Sequence, residues 1–194
     1  MAVGLALAKR WLRVNSLPEP GTFSLSREEH RRNGFRPFNR KWLGVQHVVR
    51  GVSHVTVASE ECDFSTRLAA DVIQYPGSFE DCSALGVLCH EVGHHVDHVL
   101  KWSSMPGMRK AFSVVATHEP EVSNFEHNDD ESFAEAVRLL ISNPELLRVG
   151  RPERWEHLLA IGLRPVTRHP WRAALGKAPA YVIHAAEAWI EDGR

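Results

Sequence analysis

His90, Glu91 and His94 form a His-Glu-Val-Gly-His run. On a helix, residues four apart stand one turn apart on the same face. Two imidazoles at that spacing can bind one metal ion, and the carboxylate between them can serve as a general base. In a chain with 12 histidines, chance produces an HExxH pentapeptide with a frequency of roughly one in fifteen. The surrounding sequence therefore has to carry the argument.

Helical phase is the first support. At about 100° per residue, Leu85, Leu88, Val92, Val96 and Val99 fall roughly 160–240° from His90, whereas Glu91, His94 and His98 fall within about 40–100° of it. The apolar side anchors such a helix in a core and leaves the HExxH edge facing a cleft. His95 and His98 are expected on the exposed or cleft-lining side, and Cys89 as a packing residue.

A catalytic zinc keeps three protein ligands and one open position. The third ligand must come from His98, His118, His127, Asp129, Asp130, Glu131 or Glu135, all downstream. His98 lies about 6 Å further along the helix axis than His94, too far for a rigid helix to wrap around one ion. A metzincin would carry glycine at position 97 and histidine at position 100; the chain has Asp97 and Leu100. Glu131 and Glu135 share one face of a second helix. One can reach the metal and the other can hold a ligand imidazole by its second nitrogen. Asn128-x-x-Glu131 also has the spacing of a capping box, which would keep Glu131 on its own helix.

His90-Glu91-Val92-Gly93-His94-His95-Val96-Asp97, followed by Glu131-Ser132-Phe133-Ala134-Glu135-Ala136-Val137-Arg138-Leu139, resembles the catalytic domain of lethal-factor-like zinc peptidases. These are gluzincins, the group that includes the thermolysins. The likeness covers about residues 80–145 and extends toward Pro165. It implies that His90, His94 and Glu131 bind Zn2+ and that Glu91 takes a proton from the attacking water. It also implies that Glu135 supports a ligand histidine and that Asp97 makes a structural hydrogen bond in the same supporting set. The family carries a tyrosine before the glutamate helix to stabilise the oxyanion. Here that stretch reads Asn124-Phe125-Glu126-His127-Asn128, and the only tyrosines are Tyr75 and Tyr181. His127 is the candidate for the electrostatic role.

The elements that must position these residues follow from patterning. Residues 2–14 read as a short amphipathic helix, and 15–43 as a turn-rich basic stretch. Residues 45–49 and 53–58 alternate and flank Arg50-Gly51, the pattern of a hairpin. The segment 53–58 is expected to wall the cleft and pair with an extended peptide. Asp63–Tyr75 holds one more helix or strand, and Tyr75-Pro76-Gly77 a turn. Ser78 or Asp81 caps the HExxH helix, which runs to about Lys101. Further helices are expected over Met108–Val115, 130–142 after Asn128 or Asp129, 152–162 from Pro152, and 178–191. The expected class is α+β and zincin-like: a small twisted sheet on the HExxH helix, a second glutamate-bearing helix and a helical C-terminus. The expected division is a basic, loop-rich arm at 1–44, the metallopeptidase domain at 45–165 and a C-terminal helical extension at 166–194.

A net charge of −1 argues against a nucleic-acid-binding chain. Arg27, Arg31, Arg32, Arg36, Arg40 and Lys41, interleaved with Phe35, Phe38 and Trp42, have the composition of a surface for nucleic acid or an acidic partner; the favoured expectation is an arm lying on its own domain or on another protein. Cys62, Cys82 and Cys89 show no paired spacing; Cys82 and Cys89, placed on one helix, are too far apart to bridge. They read as free thiols of a reducing compartment. The apolar start, Met1 to Leu7, precedes its basic residues, the reverse of a secretory signal, and no run is long enough for a membrane span. The expectation is a cytoplasmic zinc peptidase acting on a protein or peptide substrate. The alternative is a weak or inactive zincin-fold module for binding or assembly, in a phage or mobile element, virion-associated through the basic arm.

Overall fold

The protein was described from a computed structural model covering residues 2–62 and 77–166. Strands β2 (Gly44–Val49) and β3 (Val52–Val57) form an antiparallel hairpin with Val49 opposite Val52. Arg50 and Gly51 join them, both with positive φ (53° and 80°). This is the two-residue turn whose twist matches that of the flanking strands. Short strand β1 (Phe23–Ser24) adds to β3 in parallel, so the sheet order is β1-β3-β2. The segment 53–58 is therefore the middle strand, hydrogen-bonded on both sides. The strand that lines the cleft is the edge strand β2, a correction to the expected cleft wall.

Helix α1 (Ala2–Val14) precedes the sheet, and α2 (Arg27–Arg32) lies between β1 and β2. Helix α3 (Ala84–Leu100) carries the HExxH run. It is capped by Ser83, whose side chain accepts from Gly86 N–H, and ends at Lys101 in the left-handed conformation. The start is later than Ser78 or Asp81 because the Asp81 carboxylate instead takes the N–H groups of Gly77 and Ser83, closing the preceding loop. Cys82 thus precedes the helix rather than lying on it. Cys62, Cys82 and Cys89 are all free.

Helices α4 (Pro106–His118), α5 (Asp129–Ser142), α6 (Pro144–Gly150) and α7 (Pro152–Ala160) complete the described chain. The mixed α+β class is as expected. Helix α3 packs on α5 with one side and on β2 and β3 with another. Leu85, Leu88, Cys89, Val92 and Val96 of α3 meet Phe133, Ala136, Val137 and Leu140 of α5 in one core. Trp102 stacks on Phe133 at 4.3 Å and meets Phe112 edge-on, tying α4 to the pair.

The segment 1–44 packs on that core. Ala8, Trp11 and Leu12 of α1 are fully buried, and Asn15 exchanges two hydrogen bonds with the backbone of Arg164. Buried His30 bonds Thr56 Oγ1 and the Arg36 carbonyl. The Arg27 guanidinium is occupied by Glu61, by three loop carbonyls and by the face of Phe38. The elements expected over Asp63–Tyr75 and 178–191, and nearly all of the extension at 166–194, lie outside the described residues. Among the described residues, no helix is long and apolar enough to cross a membrane.

Candidate metal centre

The crossing of α3 and α5 sets the site. A methyl group at Gly93 would lie 2.7 Å from both the Cα and the carbonyl oxygen of Ala134. The lack of a side chain at Gly93 lets the two backbones approach at the level of the histidines. At that level His90 Nε2 lies 3.1 Å from His94 Nε2. Glu131 Oε2 lies 3.1 Å from His90 Nε2 and 3.3 Å from His94 Nε2. Three ligand atoms from two helices thus converge on one point. Among the described residues this is the one group of three or more His, Cys, Asp or Glu able to hold a metal ion.

Glu131 stands in the first turn of α5 with its carboxylate turned to the two imidazoles. Asn128 Oδ1 accepts from the N–H groups of Asp130 and Glu131, while the Glu131 carboxylate points at the imidazoles. Burial works to raise the Glu131 pKa, but hydrogen bonds to His90 and His94 overcome it and hold the carboxyl well below its ordinary range. Burial likewise works against charge on His90. Its hydrogen bonds to Glu131 and Glu135 prevail, and its pKa is raised to about 10.

Glu135 lies one turn further along α5 and supports the site from behind. Its Oε1 is 2.7 Å from His90 Nδ1, which turns Nε2 toward Glu131. Burial pushes the Glu135 pKa up; the Arg138 charge and the His90 hydrogen bond outweigh it, and it is lowered to about 2. Arg138 donates to both carboxylate oxygens of Glu135 and to the carbonyls of Ser78 and Phe79.

Glu91 is buried beside the triad, against β2. A methyl group at Gly44 would lie 2.6 Å from Glu91 Oε1 and from Val87 Cγ1, so a side chain there would press on the Glu91 carboxylate. Burial raises the Glu91 pKa, opposed by His90 and His94. The direction suits a carboxylate that accepts a proton near neutrality.

These groups open into a cleft of about 540 Å³. The stretch from Lys41 to Gln46 lines one wall, and Phe125 and His127 contribute another part of the lining. The loop carrying Phe125 and His127 is pinned through Glu126, which accepts from buried Arg154, Val122 N–H and Ser132. His127 is exposed at the cleft.

The other candidates are engaged elsewhere. His98 Nε2 is 3.3 Å from the Gly51 carbonyl, and His118 pairs with Glu153 on α7. Asp129 and Asp130 face Arg109. Asp97 makes a structural hydrogen bond, as expected: it accepts from Ser103 N–H at 2.7 Å and closes the end of α3. His95, expected at the exposed or cleft side, is buried at 2% exposure with Nε2 on the Pro18 carbonyl. Both tyrosines of the chain lie outside the described residues.

Arg138, Gly93 and Gly44 are the site residues that spacing alone did not single out. The one local signal was the i, i+3 spacing of Glu135 and Arg138. No protein-family model, curated protein or solved structure matches this chain.

Proposed function

We propose that the chain is a zinc-dependent peptidase. The observation that carries the reading is the convergence of His90 Nε2, His94 Nε2 and Glu131 Oε2, with separations of 3.1–3.3 Å. Ligand atoms about 2.0–2.1 Å from a tetrahedral ion stand roughly 3.3–3.4 Å from one another. Two imidazoles and one carboxylate also form the donor set of zinc peptidases that keep one position open.

His90, His94 and Glu131 would hold the ion. Zinc there would lower the pKa of a bound water toward about 7 and polarise a carbonyl. Glu91 accepts the proton of the attacking water and delivers it to the leaving amine. The Glu135 carboxylate keeps His90 in the tautomer that presents Nε2. His127 meets the charge that develops on the carbonyl oxygen. An extended peptide runs along β2, whose residues Gly44, Val45 and Gln46 line the cleft and whose Gln46 backbone N–H meets the Glu91 carboxylate.

The test is zinc stoichiometry by elemental analysis, with hydrolysis of a denatured protein by wild type and by Glu91→Gln. The reading expects one zinc per chain in both and hydrolysis in wild type only. Phe125 supports a second reading, a module that binds or assembles without turnover, because it offers no hydroxyl beside the cleft. Stoichiometric zinc with no hydrolysis in either protein would favour that module.

A further inference from the structure

Arg138 contributes nothing to the cleft lining, yet it is buried beside the site with every guanidinium nitrogen donating. Its side chain is 1% exposed and its partner Glu135 2%. Its Nε lies 3.1 and 3.0 Å from the two Glu135 oxygens. Its terminal nitrogens donate to Glu135 Oε2 at 2.9 Å, Phe79 O at 2.7 Å and Ser78 O at 2.8 Å. A guanidinium with this many fixed acceptors cannot rotate without breaking several of them. The carboxylate it grips is the one that accepts His90 Nδ1 at 2.7 Å.

We propose that Arg138 is a positioning residue for the metal centre: by clamping Glu135 it fixes the ring of His90, and it ties that ring to the loop from Gly77 to Ser83. The inference rests on His90 being a metal ligand. A forked guanidinium holds both oxygens of a carboxylate in one plane and leaves one orientation for the remaining lone pair. Glu135 then offers His90 a single direction, which aims Nε2 at Glu131 and His94. Lysine would supply the charge without the plane. The far side of the guanidinium closes on the Ser78 and Phe79 carbonyls, and that same loop brings Asp81 and Cys82 to the cleft. The metal ligand and the cleft floor therefore share one anchor.

The test is the zinc dissociation constant by chelator competition for wild type, Arg138→Lys, Arg138→Met, Glu135→Gln and the Glu135→Gln/Arg138→Met double variant. Melting of each metal-free protein monitors the fold. Loss of a ligand's hydrogen-bond partner typically weakens a metal site roughly 10–100-fold, and that range is expected for Arg138→Met and Glu135→Gln. Arg138→Lys should also weaken zinc, although it keeps the charge. Because Arg138 acts through Glu135, the double variant should bind zinc no more weakly than Glu135→Gln alone. It removes both charges together and so keeps the test available if Arg138→Met does not fold. Additive losses in the double variant, or wild-type zinc affinity in Arg138→Lys and Arg138→Met, would overturn this inference alone. Absence of zinc binding by wild type would overturn both the metal reading and the inference.

Discussion

Gly93 faces Ala134 so closely that an added methyl group would lie 2.7 Å from the Ala134 backbone. Backbone cannot swing aside as a long side chain can, so the helices would have to part. Overpacking of this kind costs roughly 1–3 kcal/mol, against about 1 kcal/mol that alanine returns in helix propensity. Gly93→Ala should therefore destabilise the fold in urea and weaken zinc binding, because Glu131 reaches the histidines across that same crossing. Wild-type stability together with wild-type zinc affinity would contradict the close crossing.

In the metal-free protein His90 is held between Glu131 and Glu135, and its pKa is raised to about 10. At neutral pH it carries a proton that a metal must displace from Nε2. Zinc binding should release about one proton from this ring and weaken as pH falls below about 10. Calorimetric titrations in buffers of different ionisation enthalpy measure the release directly. A binding enthalpy independent of buffer would show that His90 is neutral before the metal arrives.

The parts of the site legible in the sequence were those set by local spacing. His90 and His94 follow from one turn of helix, and Glu131 and Glu135 from the next helix's face. The hairpin was legible because Arg50-Gly51 sits between two alternating runs. What stayed hidden depends on chain segments far apart in sequence. Gly93 is a spacer within the pentapeptide until Ala134 is placed against it, and Gly44 is a strand end until Glu91 lies beneath it. His95 falls between the polar and apolar faces of α3; the Pro18 carbonyl, delivered by the segment after α1, decides its burial. Helix α6 was missed because Asn143-Pro144 reads as a stop. Asn143 is both the last cap of α5 and the first cap of α6, with proline at the first turn, where its missing N–H costs nothing.

Replacing Glu131 should separate the ligand assignment from its rivals. Glu131→Ala removes one of three donors and should weaken zinc by more than the roughly 10–100-fold typical of a lost supporting hydrogen bond. His118→Ala and His98→Ala should leave zinc affinity unchanged, since those rings are held by Glu153 and by the Gly51 carbonyl. Loss of zinc in His118→Ala with retention in Glu131→Ala would reverse the assignment.

His30, His47 and His54 gather around Phe35, with ring centroids 4.5–5.3 Å apart for the contacts of Phe35 with His47 and His54 and of His47 with His30. Burial, with the neighbouring His30 and His54, lowers the His47 pKa from 6.5 to about 4, and burial lowers that of His54 as well. A folded-state pKa below the unfolded value means that the unfolded chain takes up the proton first. The folded state should therefore lose stability as pH falls from 6.5 toward about 4, with no further loss from this ring below that. His47→Phe keeps a ring against Phe35 and removes the proton site. Urea unfolding of both proteins across this window should show wild type losing more stability on acidification than the variant, while the carboxylates they share contribute equally to both. Parallel losses would mean that His47 titrates normally and that the cluster is packing alone.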